Sequence, residues 1–550
     1  MVRRGAAHRR TARRAKPRLR TPNLQRKSEP SSPSATPALS PAGRLGAADD
    51  RTAVWAAALG ALTVAAAGAF LAVKLNIWMD EAFTLSTTGA GVAAAWTRAI
   101  GFEAQPPLYF VIEAAWRLLD ESSPAFARVP SVVFAALAVA VIVDAAHRIA
   151  PRFPPALAAL LTAGNPLFIW AASEMRVYAL VLLIGAVLTA LFFEAFLAPA
   201  PRRRAKVWYA VVALAGLYTQ YYVGFVLAAH FLTLLMLRRD RLRSFAASML
   251  PVAAGFAPFV GIAFGHVAQS GAFVSRSTPL GAIHEVANVV FEIVLPHDVN
   301  WGGAAKLGGF VAAAGLAAGI AAWGRPRVED GAERAVVLQW LIAVAVFMLL
   351  FSVSGVPVAL LRHLVVLAPA TLIVVCILLS GATRHRVAVT ASAALVFATF
   401  AGGDFYSEYK PPPAKRGDWQ RVAALLANAP GKSTPIAVFP AEVALPLGVY
   451  LKMPVLPIPR PMPLRVDYVG ATTLTGEADA ARVLGPVRAR SPRLWLVTTR
   501  TCSTTAAAAY DYNCRYLEAY LARYYHLRES VPFSGSMVRL YERNSVAGAL

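Results

Sequence analysis

Runs of apolar residues long enough to cross a lipid bilayer recur through the middle of this chain, and they constrain its fold more than any other feature. A helix rising about 1.5 Å per residue needs about 20 apolar residues to traverse about 30 Å of hydrocarbon. Runs near 54–74, 129–147, 154–172, 177–199, 206–221, 222–237, 245–266, 304–323, 335–353, 357–380 and 386–403 are the candidates. The stretch 107–119 is shorter, about 20 Å as helix, and reads as a tilted or incomplete span. With 57% apolar and only 15% charged residues, the chain cannot be one water-soluble core. The fold class expected is a polytopic α-helical membrane protein of about 11–13 transmembrane helices.

Charge sets an orientation. Basic clusters at Arg202-Arg203-Arg204, Arg238 to Arg243, Arg325 to Arg334 and Arg384 to Arg386 belong on the cytoplasmic side. Residues 1–50 hold twelve Lys or Arg against Glu29, Asp49 and Asp50, are rich in Pro, Ser and Ala, and have no apolar periodicity. This segment reads as a disordered basic cytoplasmic tail beside an anionic lipid surface, in preference to a nucleic-acid binder. Alternation then puts 76–106, 173–178, 267–303 and everything after about 404 outside the cytoplasm. No cleavable signal peptide is expected, because the tail is too long and the first apolar run is full length.

The chain divides as a tail over 1–50, a transmembrane module over 51–403 with an outer loop at 76–106, and a polar part over 404–550. Pro411-Pro412-Pro413 marks a linker into that last part. An amphipathic helix carries Trp419, Val422, Leu425 and Leu426 on one side, and short apolar strands at 435–439 and 494–498 alternate with helical stretches such as 514–524. The pattern predicts a small extracytoplasmic α/β domain. Cys502 and Cys514 within it either pair, as an oxidising compartment allows, or stay two free thiols; Cys376 lies in an apolar run as inert packing.

Several polar residues stand at the membrane edge. Asp80-Glu81 follows the first span. Glu103-Ala104-Gln105-Pro106-Pro107-Leu108-Tyr109-Phe110 closes the outer loop, with two prolines that exclude helix before them and so make a rigid frame for a carboxylate. Ala127-Arg128-Val129-Pro130-Ser131, Ser173-Glu174-Met175-Arg176-Val177-Tyr178 and Tyr218-Thr219-Gln220-Tyr221-Tyr222 follow, and Arg362-His363 sits about five residues inside the span that begins near 357. Ionisable groups there are expensive unless they serve a phosphate or a carboxylate. Glu174 and Tyr178 are expected on one helix face, with Arg176 pointing elsewhere. His266, His284, His297 and Asp298 on the large outer loop do not read as a metal set. A Gly-x-Gly-x-x-Gly fingerprint and a Walker A motif in a suitable context are both missing, which speaks against a nucleotide donor.

These motifs, with Asp418-Trp419-Gln420-Arg421, resemble the GT-C fold polyprenyl-phosphate-dependent glycosyltransferases. The branch is the bacterial group of protein O-mannosyltransferases, lipid A aminoarabinose transferases and rhizobial lipopolysaccharide sugar transferases (a glycosyltransferase family 39-like pattern). The resemblance covers about 54–430, with the motifs in the family's order. It implies a multi-pass protein of the bacterial inner membrane and a sugar donor linked to polyprenyl phosphate. It further implies an extracytoplasmic glycan, lipid or protein acceptor, and inversion at the anomeric carbon. Asp80 matches the catalytic loop aspartate and Glu81 its usual neighbour. Gln105 stands where relatives carry an acidic residue or His before the Pro-Pro segment, so Glu103 is displaced, and Gln220 stands where many have His.

The residue types suit that chemistry. A sugar leaving on polyprenyl phosphate departs with an anion that is already stable, so one carboxylate, Asp80, suffices to take the acceptor hydroxyl's proton. Arg362 and Arg176 are the candidates for the phosphate, with His363 and Tyr222 in support. Glu103, Gln105, Tyr109, Arg128, Glu174, Tyr178 and Gln220 complete the expected substrate-binding set. No cofactor is required, and a divalent metal stays an option. The rival readings are an oligosaccharide ligase and a lipid or solute transporter; no internal repeat of the kind transporters show is evident.

Overall fold

The computed structural model describes residues 41–270, 278–294, 331–354, 364–380, 395, 402, 417–429, 434–499 and 512–544. The chain forms two compact units, Met1–Ala48 and Asp49–Leu550. Among the described residues five helices are long and apolar enough to cross a membrane: α1 (Asp50–Lys74), α5 (Pro124–Ile149), α8 (Tyr178–Leu197), α11 (Arg239–His266) and one at Glu333–Val353. Between α1 and α5 lie three ten-residue helices, α2 (Met79–Thr88), α3 (Val92–Gly101) and α4 (Leu108–Arg117). At about 15 Å, α4 is too short to cross, so the 107–119 stretch is not a span.

The run at 154–172 is two helices, α6 (Pro155–Ala163) and α7 (Pro166–Ala172), bent by 58°. Asn165 and Pro166 cause the bend. Proline cannot donate into the preceding turn, and the Asn165 side chain takes the Leu167 N–H at 3.0 Å while donating to Ile293 O at 2.8 Å. Runs 206–221 and 222–237 become α9 (Arg203–Leu217) and α10 (Val223–Leu237), and α8 ends in a π-turn over Phe193–Leu197. The stretch 304–323 lies outside the described residues, as does nearly all of 386–403.

Lipid offers no hydrophobic drive for helices to meet, so they pack through small residues. A Cβ at Gly185 would stand 2.8 Å from Val366 O, one at Gly68 2.8 Å from the Ala172 methyl, and one at Gly216 2.8 Å from Val223. Gly185→Val is therefore expected to cost about 1–3 kcal/mol by overpacking. The check is a lowered Tm in detergent; an unchanged Tm would mean this helix crossing tolerates a gap. At the far end of the same helices, Arg148 pairs with Asp144 at 2.7 Å and with Glu194, and Arg202 also reaches Glu194 at 3.3 Å.

The C-terminal layer is a five-stranded sheet in the order β2-β1-β3-β5-β4, with β1 (Ile436–Phe439), β2 (Leu456–Pro457), β3 (Arg493–Thr499), β4 (Tyr525–Phe533) and β5 (Ser536–Arg543). The first three strands run parallel, and β5 is antiparallel to both neighbours. Alternation along β3 buries Leu494 and Leu496 on one face and Trp495 and Val497 on the other. The second face packs on the amphipathic helix Trp419–Asn428 and, through it, on Ile77 and Ala82 of the outer loop. Backbone links tie the layer to that loop: Gln420 N–H to Asn76 Oδ1 at 3.2 Å, Ile77 N–H to the Tyr450 hydroxyl at 2.9 Å and Val466 N–H to Gly101 O at 2.9 Å. Cys514 is disulfide-bonded, Cys376 is free and buried, and Cys502 lies outside the described residues.

Candidate active site

Two adjacent acids open α2, and the structure gives them different work. Glu81 is fully buried and forms a two-pronged ion pair with Arg128, itself fully buried, with Nε and Nη2 each 2.7 Å from a carboxylate oxygen. The same carboxylate accepts the Met175 N–H at 3.0 Å and the Trp78 N–H at 3.3 Å. Arg128 spends its remaining hydrogens on Ala72 O and Leu75 O at 2.9 Å and Asn76 O at 3.0 Å. Those carbonyls end α1 with no further turn to accept from, and a guanidinium meets both their hydrogen-bonding need and the negative end of the helix dipole. Glu81 and Arg128 therefore lock the outer loop to α1.

Asp80, one residue earlier, is only half-buried. Its carbonyl accepts from Arg176 Nη1 at 3.2 Å and from Thr84 Oγ1 at 3.1 Å. Arg176 Nη1 also lies 2.9 Å from Thr84 Oγ1 and 2.9 Å from Glu103 Oε2, and its guanidinium stands 5.9 Å from the centre of the Phe110 ring. Thr87 Oγ1 donates to the other Glu103 oxygen at 3.1 Å. Burial raises the Glu103 pKa above its ordinary value against the pull of Arg176, and the nearby charge of Asp80 adds to the rise. Asp80, Glu103 and Arg176 thus form one electrostatic cluster around the first turns of α2.

The loop presenting Glu103 is held from three sides. Ala104 adopts the left-handed conformation at φ +53°, turning the chain into Pro106-Pro107. Tyr218 O accepts the Leu108 N–H at 2.9 Å, and His266 Nε2 lies 3.0 Å from Ile100 O. Since a carbonyl can only accept, the hydrogen is on Nε2, and Nδ1 of the neutral ring takes the Tyr221 hydroxyl at 2.9 Å. His266 lies on the helix Val260–Ser270, which joins this frame, and not on a loop.

The turn 173–177 corrects another expectation. It is not helical, so Glu174 and Tyr178 share no helix face. Arg176 N–H closes a tight turn on Glu174 O at 2.8 Å while Glu81 holds the Met175 N–H, and this swings the Arg176 side chain inward to α2. Glu174 is buried beneath it, and Tyr178 stacks on Trp170 at 4.8 Å. Tyr109 is buried edge-on to Phe110, and Tyr222 sits among Phe225, Phe347 and Phe351. Gln105 is half-buried on the loop, and Gln220 is 9% exposed with its Oε1 lacking a hydrogen-bond partner among the described residues. Arg362 and His363 lie outside the described residues.

Among the described residues no three His, Cys, Asp or Glu side chains stand together as metal ligands. Sequence reasoning missed Thr84, Thr87 and Thr88, which are buried on α2; their spacing of three and four, which puts them on one helix face, was the available signal.

No family model matches this sequence, and no curated protein matches it either. Among solved structures the chain is similar to ArnT from Cupriavidus metallidurans in the apo state, with a TM-score of 0.53 and 13% identity over 91% of this chain and 98% of that one. It is similar to the same protein bound to undecaprenyl phosphate, with a TM-score of 0.55 and 15% identity over 89% and 98%. The likeness is one of fold: this chain has the GT-C architecture, a polytopic helical membrane protein with a small sheet near its C-terminus.

Proposed function

We propose that this chain, which shares its fold with a protein solved on undecaprenyl phosphate, is an integral membrane glycosyltransferase. It moves a sugar from a polyprenyl-phosphate carrier onto a hydroxyl of an extracytoplasmic glycan, lipid or protein. The observation that carries the reading is the division of labour at the start of α2. Glu81 is consumed by Arg128, while Asp80 is left half-buried beside the Arg176–Glu103 pair.

The chemistry follows from those positions. Asp80 accepts the proton of the acceptor hydroxyl as that oxygen forms a bond to the anomeric carbon, while the bond from that carbon to the phosphate oxygen breaks. The pair of electrons leaves on the polyprenyl phosphate, whose anion is stable without protonation, so no general acid is called for. Attack from the face opposite the phosphate inverts the centre. Arg176 is the cation within the described site that can meet the phosphate, and its planar, always-charged group suits that task in a low-dielectric setting. Arg362 and His363 join it by the family resemblance. The positive-inside rule applied to the basic loops supports a cytoplasmic N-terminus and an extracytoplasmic site and C-terminal layer, at the bacterial inner membrane.

Purified protein incubated with a panel of radiolabelled polyprenyl-phosphate sugars and membrane extract tests the reading. Label is expected to pass from one donor to an extractable acceptor. Transfer of label from none of them, by a protein that still binds the carrier lipid, would overturn it in favour of a transporter.

A further inference from the structure

α2 is gripped at both ends, and the grip remote from Asp80 has no part in the chemistry above. The carbonyls of its last turn lack donor partners within the helix. Gly89 N–H closes on Leu85 O at 2.9 Å, and guanidinium groups do the rest. Arg117, at the end of α4, donates from Nη1 to Leu85 O at 2.9 Å and to Thr88 Oγ1 at 2.6 Å, and from Nη2 to Glu121 O at 3.2 Å. Arg98 of α3 donates to Ser86 O at 2.7 Å. Arg117 is 7% exposed, and among the described residues it makes no hydrogen bond to a carboxylate, nor do the oxygens of Glu113, one turn back on α4, find a hydrogen-bond partner there.

A ladder of hydroxyls runs from this clamp to Asp80. Thr88 Oγ1 takes the Arg117 proton and donates to Thr84 O at 2.8 Å; Thr84 Oγ1 takes one from Arg176 and donates to Asp80 O at 3.1 Å. A buried cation at the helix C-terminus also mirrors the two acids in its first turn, each favourable to the helix dipole. Over the eight residues from Asp80 to Thr88 the helix rises about 12 Å, so a shift at its rear is carried to its front as a rigid body.

We infer that Arg117 is a positioning residue for Asp80: it clamps the rear of α2 and so sets where the carboxylate stands. The inference rests on Asp80 being the base, but the grip on α2 is testable without that reading.

Full-length protein, Arg117→Ala and Arg117→Lys are compared by hydrogen–deuterium exchange and by transfer kinetics. In Arg117→Ala, exchange over 79–88 is expected to rise about 10-fold while α5 and α8 hold their protection. Displacement of the base by a fraction of an ångström to an ångström is expected to lower kcat about 10–100-fold, with donor KM within about 3-fold of wild type. Millimolar guanidinium, and not methylammonium, is expected to restore part of that kcat. Arg117→Lys is expected between the two, since one ammonium cannot serve all three acceptors as the fork does, and it carries the same readouts if the alanine variant does not fold. Unchanged exchange over 79–88 would overturn the clamp whatever the activity. Raised exchange with unaltered kcat would overturn its positioning role, and so would loosening spread equally over α5 and α8. Absence of transfer by the wild type would remove the transferase reading alone, and the exchange result would still decide the clamp.

Discussion

Asp80→Asn protein is expected to fold, to bind carrier lipid and to transfer sugar about 10²–10⁴-fold more slowly than wild type, the range that a positioned general base supplies. On the proposed reading the substitution takes away the base, together with one charge of the cluster with Glu103 and Arg176. The carbonyl of residue 80, which holds Arg176 and Thr84, is untouched, and asparagine keeps the size of the side chain. Loss of one negative charge from the first turn of α2 costs about 0.3–1 kcal/mol of helix-dipole interaction, which leaves the fold standing. Turnover with a labelled donor, set beside Tm and lipid binding, reads all three properties. A stable Asp80→Asn protein retaining full turnover would remove Asp80 from the chemistry. The neighbouring Glu81→Gln makes the contrast: its loss should register first in stability, because Glu81 serves Arg128 and the backbone of Trp78 and Met175.

Arg128→Leu carries the largest stability penalty foreseen in the molecule. The change strands the Glu81 carboxylate in a fully buried position and leaves three carbonyls at the end of α1 without a donor. Breaking a buried ion pair from one side costs about 3–5 kcal/mol, and unpaired buried carbonyls add to it. Little folded protein is expected in detergent. The pair is tested as a pair: Glu81→Gln combined with Arg128→Leu is expected to be more stable than Arg128→Leu alone, because the uncompensated charge is gone. Thermal melting of the two single variants and the double variant measures the coupling. Equal Tm values for Arg128→Leu and wild type would show that the α1–α2 junction does not depend on this pair.

Much of the architecture is visible in the residues themselves. The spans at 54–74, 129–147, 177–199, 245–266 and 335–353 appear as helices within a few residues of their apolar runs, because hydrocarbon leaves a backbone no other way to satisfy its hydrogen bonds. The amphipathic helix at 419 and the strands at 435–439 and 494–498 appear too, each from a period that one buried face imposes. Readings faltered where local pattern gave way to distant partners. Ser173 to Tyr178 looks like the start of a helix, yet Glu81, far off in the chain, claims the Met175 N–H and leaves a turn in its place. His266 looks like a loop residue and instead bridges Tyr221 to Ile100 O.

What the sequence by itself determined is therefore what depends on solvent and on neighbours within a turn or two. It settles the membrane class, the places where spans run, the sheet-bearing C-terminal layer, and the presence of acids and arginines at span ends. What only the tertiary structure decided is which of them meet. Glu81 and Arg128 are 47 residues apart, and Glu103 and Arg176 are 73 apart. Any of several arginines could have served either acid by composition alone. Burial makes an unpaired charge intolerable but does not say which partner relieves it. The choice is made by the packing that brings the ends of α1, α5 and α8 around α2, and with it the fully buried place of Glu81 beside Arg128 and the half-buried place of Asp80 one residue earlier.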